Sequence, residues 1–96
     1  MEMLRAASEI PPLLSVLLEK GSRLAVSDVG CAAALCAAAA KASHLNVLVN
    51  TGLMKDRPFA EAMDEEAGRL LAETETNCEI LYEAVRKRLA KEPSGG

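Results

Sequence analysis

Cys31-Ala32-Ala33-Ala34-Leu35-Cys36-Ala37-Ala38-Ala39-Ala40 decides the fold. Ten residues without charge, glycine or proline, most of them the strongest helix former, read as helix. This run is apolar or small on every face, the mark of a helix enclosed by protein. Ser27 and Asp28 stand just ahead of it as N-cap candidates, because their short side chains can accept from the free amides of a first turn. The spacing therefore predicts a helix from about Val29 towards Thr51, at the centre of a bundle.

Working outward, Ser43, Asn46 and Asn50 fall at steps of three and four and form a polar stripe opposite Leu45, Leu48 and Val49. Gly52 marks the end of this helix. Lys55-Asp56-Arg57-Pro58 then supplies a turn, a cap and a first-turn proline for a last helix reaching about Lys91. Along that helix Phe59, Met63, Ala67, Leu70, Thr74, Cys78, Leu81, Val85 and Leu89 follow an eleven-residue period, which describes a nearly straight seam. At about 1.5 Å per residue such a helix exceeds what a compact domain of this size needs, and packing across a partner chain is expected. Upstream, Met1 to Ile10 reads as helical. Pro11-Pro12 is expected to interrupt it, and a short helix with Leu13, Leu14, Leu17 and Leu18 follows as far as the C-terminal glycine Gly21. Ser22 to Val26 reads as a connection.

Composition bounds the rest. At 96 residues the chain is one domain, near the size at which a core needs oligomerisation to help it. Phe59 and Tyr82 are its only aromatics, so the core is built from Ala, Leu and Val, and alanine-rich helices approach closely. A net charge of −3, with no basic cluster outside the last helix, argues against nucleic acid. The first residues lack the basic start and apolar run of a secretory signal. Lys41, His44, Asn46 and Asn50 interrupt the apolar stretch, which reads as a core helix and not a membrane span. Cys31, Cys36 and Cys78 have no pairing pattern and one histidine accompanies them, so reduced cytosolic thiols fit better than disulfides or a zinc site. No resident cofactor or metal is expected.

Several residues admit a functional and a structural reading. Ser27-Asp28 could place an acid, a base or an anchor for a pterin-type ring at a buried helix start, but local sequence favours the cap. Asn46 and Asn50 could line a cavity or could satisfy one another between helices, and both readings stay open. His44, the one histidine, is a candidate general base by residue type, yet its helical neighbours assemble no nucleophile or second carboxylate. Lys55-Asp56 could reach towards a substrate, while the plainer reading is a solvated loop in which Asp56 caps the next helix. Glu65 with Arg69 and Glu83 with Lys87 read as ordinary exposed pairs. Arg86-Lys87-Arg88 opposes the dipole of its helix.

Ser27-Asp28-Val29-Gly30-Cys31-Ala32-Ala33, Leu45-Asn46-Val47-Leu48-Val49-Asn50 and Lys55-Asp56 resemble, in order and spacing, consecutive blocks of the formiminotetrahydrofolate cyclodeaminase and methenyltetrahydrofolate cyclohydrolase family. Ala6-Ala7 and Ile10-Pro11 are similar to that family's proline-containing helix. The resemblance implies an all-α helical bundle, dimeric or larger, acting on one-carbon derivatives of tetrahydrofolate. A cyclodeaminase closes the 5-formimino form with loss of ammonia; a cyclohydrolase adds water to the 5,10-methenyl form and yields the 10-formyl form. By that resemblance Asp28 or Asp56 would stabilise charge or move a proton, and Ser27, Asn46, Asn50 and Lys55 would hold the folate. Family domains carry a further Gly/Ser/Ala-rich N-terminal half that nothing here matches, and residues 11–24 look short against the family. Residues 1–92 thus read as a truncated domain and 93–96 as a disordered tail. The contrasting reading is a noncatalytic assembly module that buries its alanine-rich helix and the Phe59 to Leu89 seam against another subunit.

Overall fold

The computed structural model describes residues 1–21 and 23–91, with the side chains of 23 and 24 left aside, and the expected tail at 93–96 lies outside the described residues. Three helices follow in order: α1 (Glu2–Lys20), α2 (Arg23–Gly52) and α3 (Arg57–Lys91), and the described residues contain no strand. They form an all-α bundle of 58 × 17 × 15 Å, whose long dimension is set by the 35 residues of α3. The core is narrow and runs lengthwise. Leu4, Val26, Ala33, Ala40, Ala60, Ala67 and Cys78 are among its most buried side chains, and small residues let the three axes lie close.

α1 does not break. Pro11 and Pro12 lie inside one continuous helix, against the expectation of two. Pro11 has no N–H to give the carbonyl of Ala7, and the thiol of Cys36 donates to that carbonyl at 3.2 Å instead. Burial of Pro11 and Leu14 against the rest of the bundle offsets the remaining cost. Gly21 ends the helix, as expected, and does so in an extended conformation, φ −80° and ψ 152°. A Cβ there would come within 2.9 Å of the Leu17 carbonyl, so close approach and not backbone handedness suits this position to glycine. Arg88 completes the end by donating to the Leu18 carbonyl at 2.6 Å, so its cation serves α1 as well as its own helix.

α2 starts earlier than the caps suggested. Residues 23–26 are already helical, which places Ser27 and Asp28 inside the helix and leaves neither as its N-cap. Burial of Val26 at 1% exposure explains the extension, since its side chain joins the core only if the helix begins before it. A second correction concerns the middle of α2. Val29, Gly30, Ala33, Cys36, Ala40, Ser43 and Val47 are buried, but Cys31, Ala34, Leu35, Ala38 and Ala39 are exposed, so the helix is enclosed on one side only. By length and composition Ala25–Gly52 could cross a membrane, and 28% of its most apolar window is buried inside the chain.

The α2–α3 corner follows the sequence closely. Asp56 caps α3, its carboxylate accepting from the Phe59 amide at 3.1 Å. Arg57 donates to the Thr51 and Met54 carbonyls at 2.8 and 3.1 Å and closes the end of α2. Thr51 donates to Asp64 at 2.6 Å, locking the two helices together. The seam of α3 is buried at Ala67, Thr74, Cys78, Leu81 and Val85, but Phe59 is exposed and Ala60 takes its place. These side chains meet α1 and α2 within the chain. The exposed pairs of α3 choose other partners than expected: Arg69 pairs with Glu73 at 3.2 Å and Arg86 with Glu83 at 2.9 Å.

Candidate functional site

Ser43, Asn46 and Asn50 do share one strip of α2, and α1 crosses beside it. Together with Val47 and Met1, Glu2, Met3 and Leu4 they line an open groove of about 370 Å³. Ser43 is buried at its floor, whereas Asn46 and Asn50 are exposed along its side. A carboxylate, two amides and a hydroxyl in one groove offer both donors and acceptors in fixed relation, enough to read the edge of a flat heterocycle. Glu2 is a member that sequence reasoning missed. Nothing along the chain links it to Asn46; only the packing of α1 on α2 does.

The other expected site residues do not join them in one chain. Neither Asp28 nor Asp56 lines this groove. Asp28 is exposed eighteen residues before Asn46, about 27 Å away along the helix. Ser27 borders a separate groove with Gly30, Cys31, Tyr82 and Val85. Lys55 and Asp56 are exposed at the α2–α3 corner, Asp56 serving as the cap of α3. His44 is half-buried.

A larger groove, about 750 Å³, runs between α2 and α3 over Ala33, Ala37, Cys78 and Tyr82, and Lys41 pairs with Glu75 at 3.4 Å beside it. Cys78 carries no nucleophile there. Burial, with the neighbouring Cys36 thiol adding to it, pushes the Cys78 thiol up to about 12, so it stays protonated at neutral pH. Among the described residues no cluster of His, Cys, Asp and Glu could hold a metal ion.

Fold and groove define an all-α protein with a polar strip along one central helix. A family model described as Formiminotransferase-cyclodeaminase matches residues 1–69, which include that helix and the corner after it. A methenyltetrahydrofolate cyclohydrolase of Methylorubrum extorquens is 35% identical over 85 residues, covering 88% of this chain and 41% of that protein. The chain belongs to the formiminotransferase-cyclodeaminase family of folate one-carbon proteins. It spans about two-fifths of the length of the curated relative it matches. No solved structure matches it.

Proposed function

We propose that this chain acts in methenyltetrahydrofolate hydrolysis, presenting the groove between the start of α1 and the second half of α2 to the pterin portion of the folate. The observation that carries the reading is the convergence of Ser43, Asn46, Asn50 and Glu2 on one concavity. A volume of about 370 Å³ suits a ring system rather than a whole folate, so the remainder of the ligand would lie outside it. The curated relative's name favours the cyclohydrolase arm of the family over the deaminase arm.

Hydrolysis adds water to the cationic methenyl carbon, releases a proton and breaks the bond from that carbon to N5, leaving the formyl group on N10. Asn46 and Asn50 would orient the ring or the attacking water, and a carboxylate would take the proton or offset the positive bridge. Asp28 and Asp56 are the carboxylates proposed for this, with Ser27 and Lys55 holding the folate. A cytoplasmic setting belongs to the same reading, in keeping with free thiols at Cys31, Cys36 and Cys78.

The test is titration of the purified chain with 5,10-methenyltetrahydrofolate, following binding and loss of the methenyl chromophore above the buffer rate. The expected result is accelerated loss, with Asn46→Ala weakening binding about tenfold, the scale of one lost hydrogen bond to a ligand. Absence of binding at every soluble concentration would reject the reading.

A further inference from the structure

The Asn46–Asn50 groove is lined by polar side chains that the chain itself leaves unused. Ser43 is 4% exposed, and among the described residues its hydroxyl makes no hydrogen bond. The buried hydroxyl of Thr51, on the same helix, is by contrast spent on Asp64 at 2.6 Å. The Thr74 hydroxyl, also without a partner among the described residues, is sealed from solvent, whereas that of Ser43 opens on the groove floor. A polar group buried without a partner costs stability unless something enters to meet it. Asn46, Asn50 and Glu2 likewise have no side-chain partner among the described residues, although Glu66, Glu75 and Glu83 all have basic ones.

Glu2 is the one charged side chain lining the groove. It stands in the first turn of α1, where a carboxylate opposes the helix dipole. That accounts for an acid at this end of α1, but not for its sharing a groove with two free amides and a free hydroxyl of another helix.

The chemistry of donors and acceptors decides which part of a ligand such a set fits. An ionised carboxylate only accepts, and its two oxygens suit two parallel N–H donors. Asparagine and serine both donate and accept. The pyrimidine edge of a pterin carries N3–H beside the 2-amino group, two parallel donors, with the 4-oxo acceptor on their flank. The opposite end of the ring has no such pair; it bears the one-carbon bridge and the bulk of the folate. A carboxylate set against that bridge would answer its charge and ignore the 2-amino group.

We infer that Glu2 is the specificity-determining residue of the groove, its carboxylate accepting from N3–H and the 2-amino group while Ser43, Asn46 and Asn50 supply donors to the 4-oxo group. The inference rests on the folate reading above and gives it an orientation. The pyrimidine edge lies against the start of α1, and the methenyl carbon stands at the open mouth of the groove, within reach of water.

Fluorescence titration of the full chain with two rings tests this: pterin, which is 2-amino-4-oxopteridine, and its 2,4-dioxo analogue, which has a carbonyl in place of the amino group. Pterin should bind about tenfold more tightly, because the analogue sets an acceptor against a carboxylate, the scale of one hydrogen bond to a charged group. Glu2→Gln should abolish that preference, since an amide serves either ring, with the helical circular dichroism unchanged. Glu9→Gln, at an exposed carboxylate of the same helix outside the groove, should keep it. Loss of a helix-dipole partner alone would lower stability and leave the preference intact. Each chain is also titrated with 5,10-methenyltetrahydrofolate, which carries the same amino edge, and Glu2→Gln should weaken it about tenfold. Equal binding of the two rings by the unsubstituted chain, or a preference that survives Glu2→Gln, overturns the inference. So does binding of the methenyl compound without binding of pterin, an outcome that leaves the folate reading standing. Failure of the unsubstituted chain to bind the methenyl compound removes the folate reading, and this inference with it.

Discussion

α2 and α3 are both long helices, yet they dispose of their apolar residues differently. α3 has one seam, uses it from Ala60 to Val85 against its own bundle, and turns charged residues outward. α2 has two seams and buries only one, leaving Leu35, Leu45 and Val49 in the open. The difference teaches that hydrophobic periodicity states which face is to be covered and not what covers it. A helix that is apolar all round asks for more protein than a three-helix chain of this size contains.

The sharpest way to break this comparison is to truncate one leucine on each kind of surface. Leu4 is fully buried, and Leu4→Ala should cost about 2–5 kcal/mol in urea unfolding. Leu35→Ala, at 71% exposure, should cost the isolated chain within about 0.5 kcal/mol, any further loss growing with protein concentration. Equal losses at every concentration would mean that Leu35 is already buried in the single chain. Gly30 probes the used face next. A Cβ there would meet Val85 Cγ1 at 2.8 Å, so Gly30→Ala should destabilise. Overpacking costs about 1–3 kcal/mol and the helical gain of alanine returns about 0.5–1 kcal/mol, leaving a fall in thermal midpoint as the net effect.

Thr74 runs the other way. Among the described residues its buried hydroxyl, on the seam of α3, has no hydrogen-bond partner, so Thr74→Val should raise stability by about 1 kcal/mol in the same denaturation assay. The smallest effect at ordinary pH separates the thiols. Iodoacetamide near pH 8 should label Cys31, which is exposed, and spare Cys36 and Cys78, which mass spectrometry of the native chain would read. Cys78 holds its proton more tightly folded than unfolded, its pKa lying near 12 against the ordinary 9.0. Its contribution is thus complete below about pH 9 and is lost as pH rises towards 12. Denaturation midpoints should fall over that alkaline window, and less so in Cys78→Ala.

Much of this was legible from residues alone. The Asp56 cap, the end of α2 near Gly52 and the buried series from Ala67 to Val85 rest on local chemistry and period, and those signals are strong when side chains act within a turn or two of themselves. The Pro11-Pro12 step misled because the penalty is local while its compensation, the Cys36 thiol on the Ala7 carbonyl, comes from another helix. Ser27 and Asp28 misled similarly: a good capping residue loses to four earlier residues when burying Val26 is worth more than a cap. Glu2 in the groove had no signal at all.

The sequence by itself determined an all-α chain of the folate family, with a central alanine-rich helix and a polar strip at Asn46 and Asn50, because helix propensity, period and residue order are properties of neighbours on one chain. Only the tertiary structure decided that one of the two α2 seams is spent inside the chain and that α1 walls the Asn46–Asn50 groove. Those are relations between surfaces distant in sequence, set by how three narrow helices share one core.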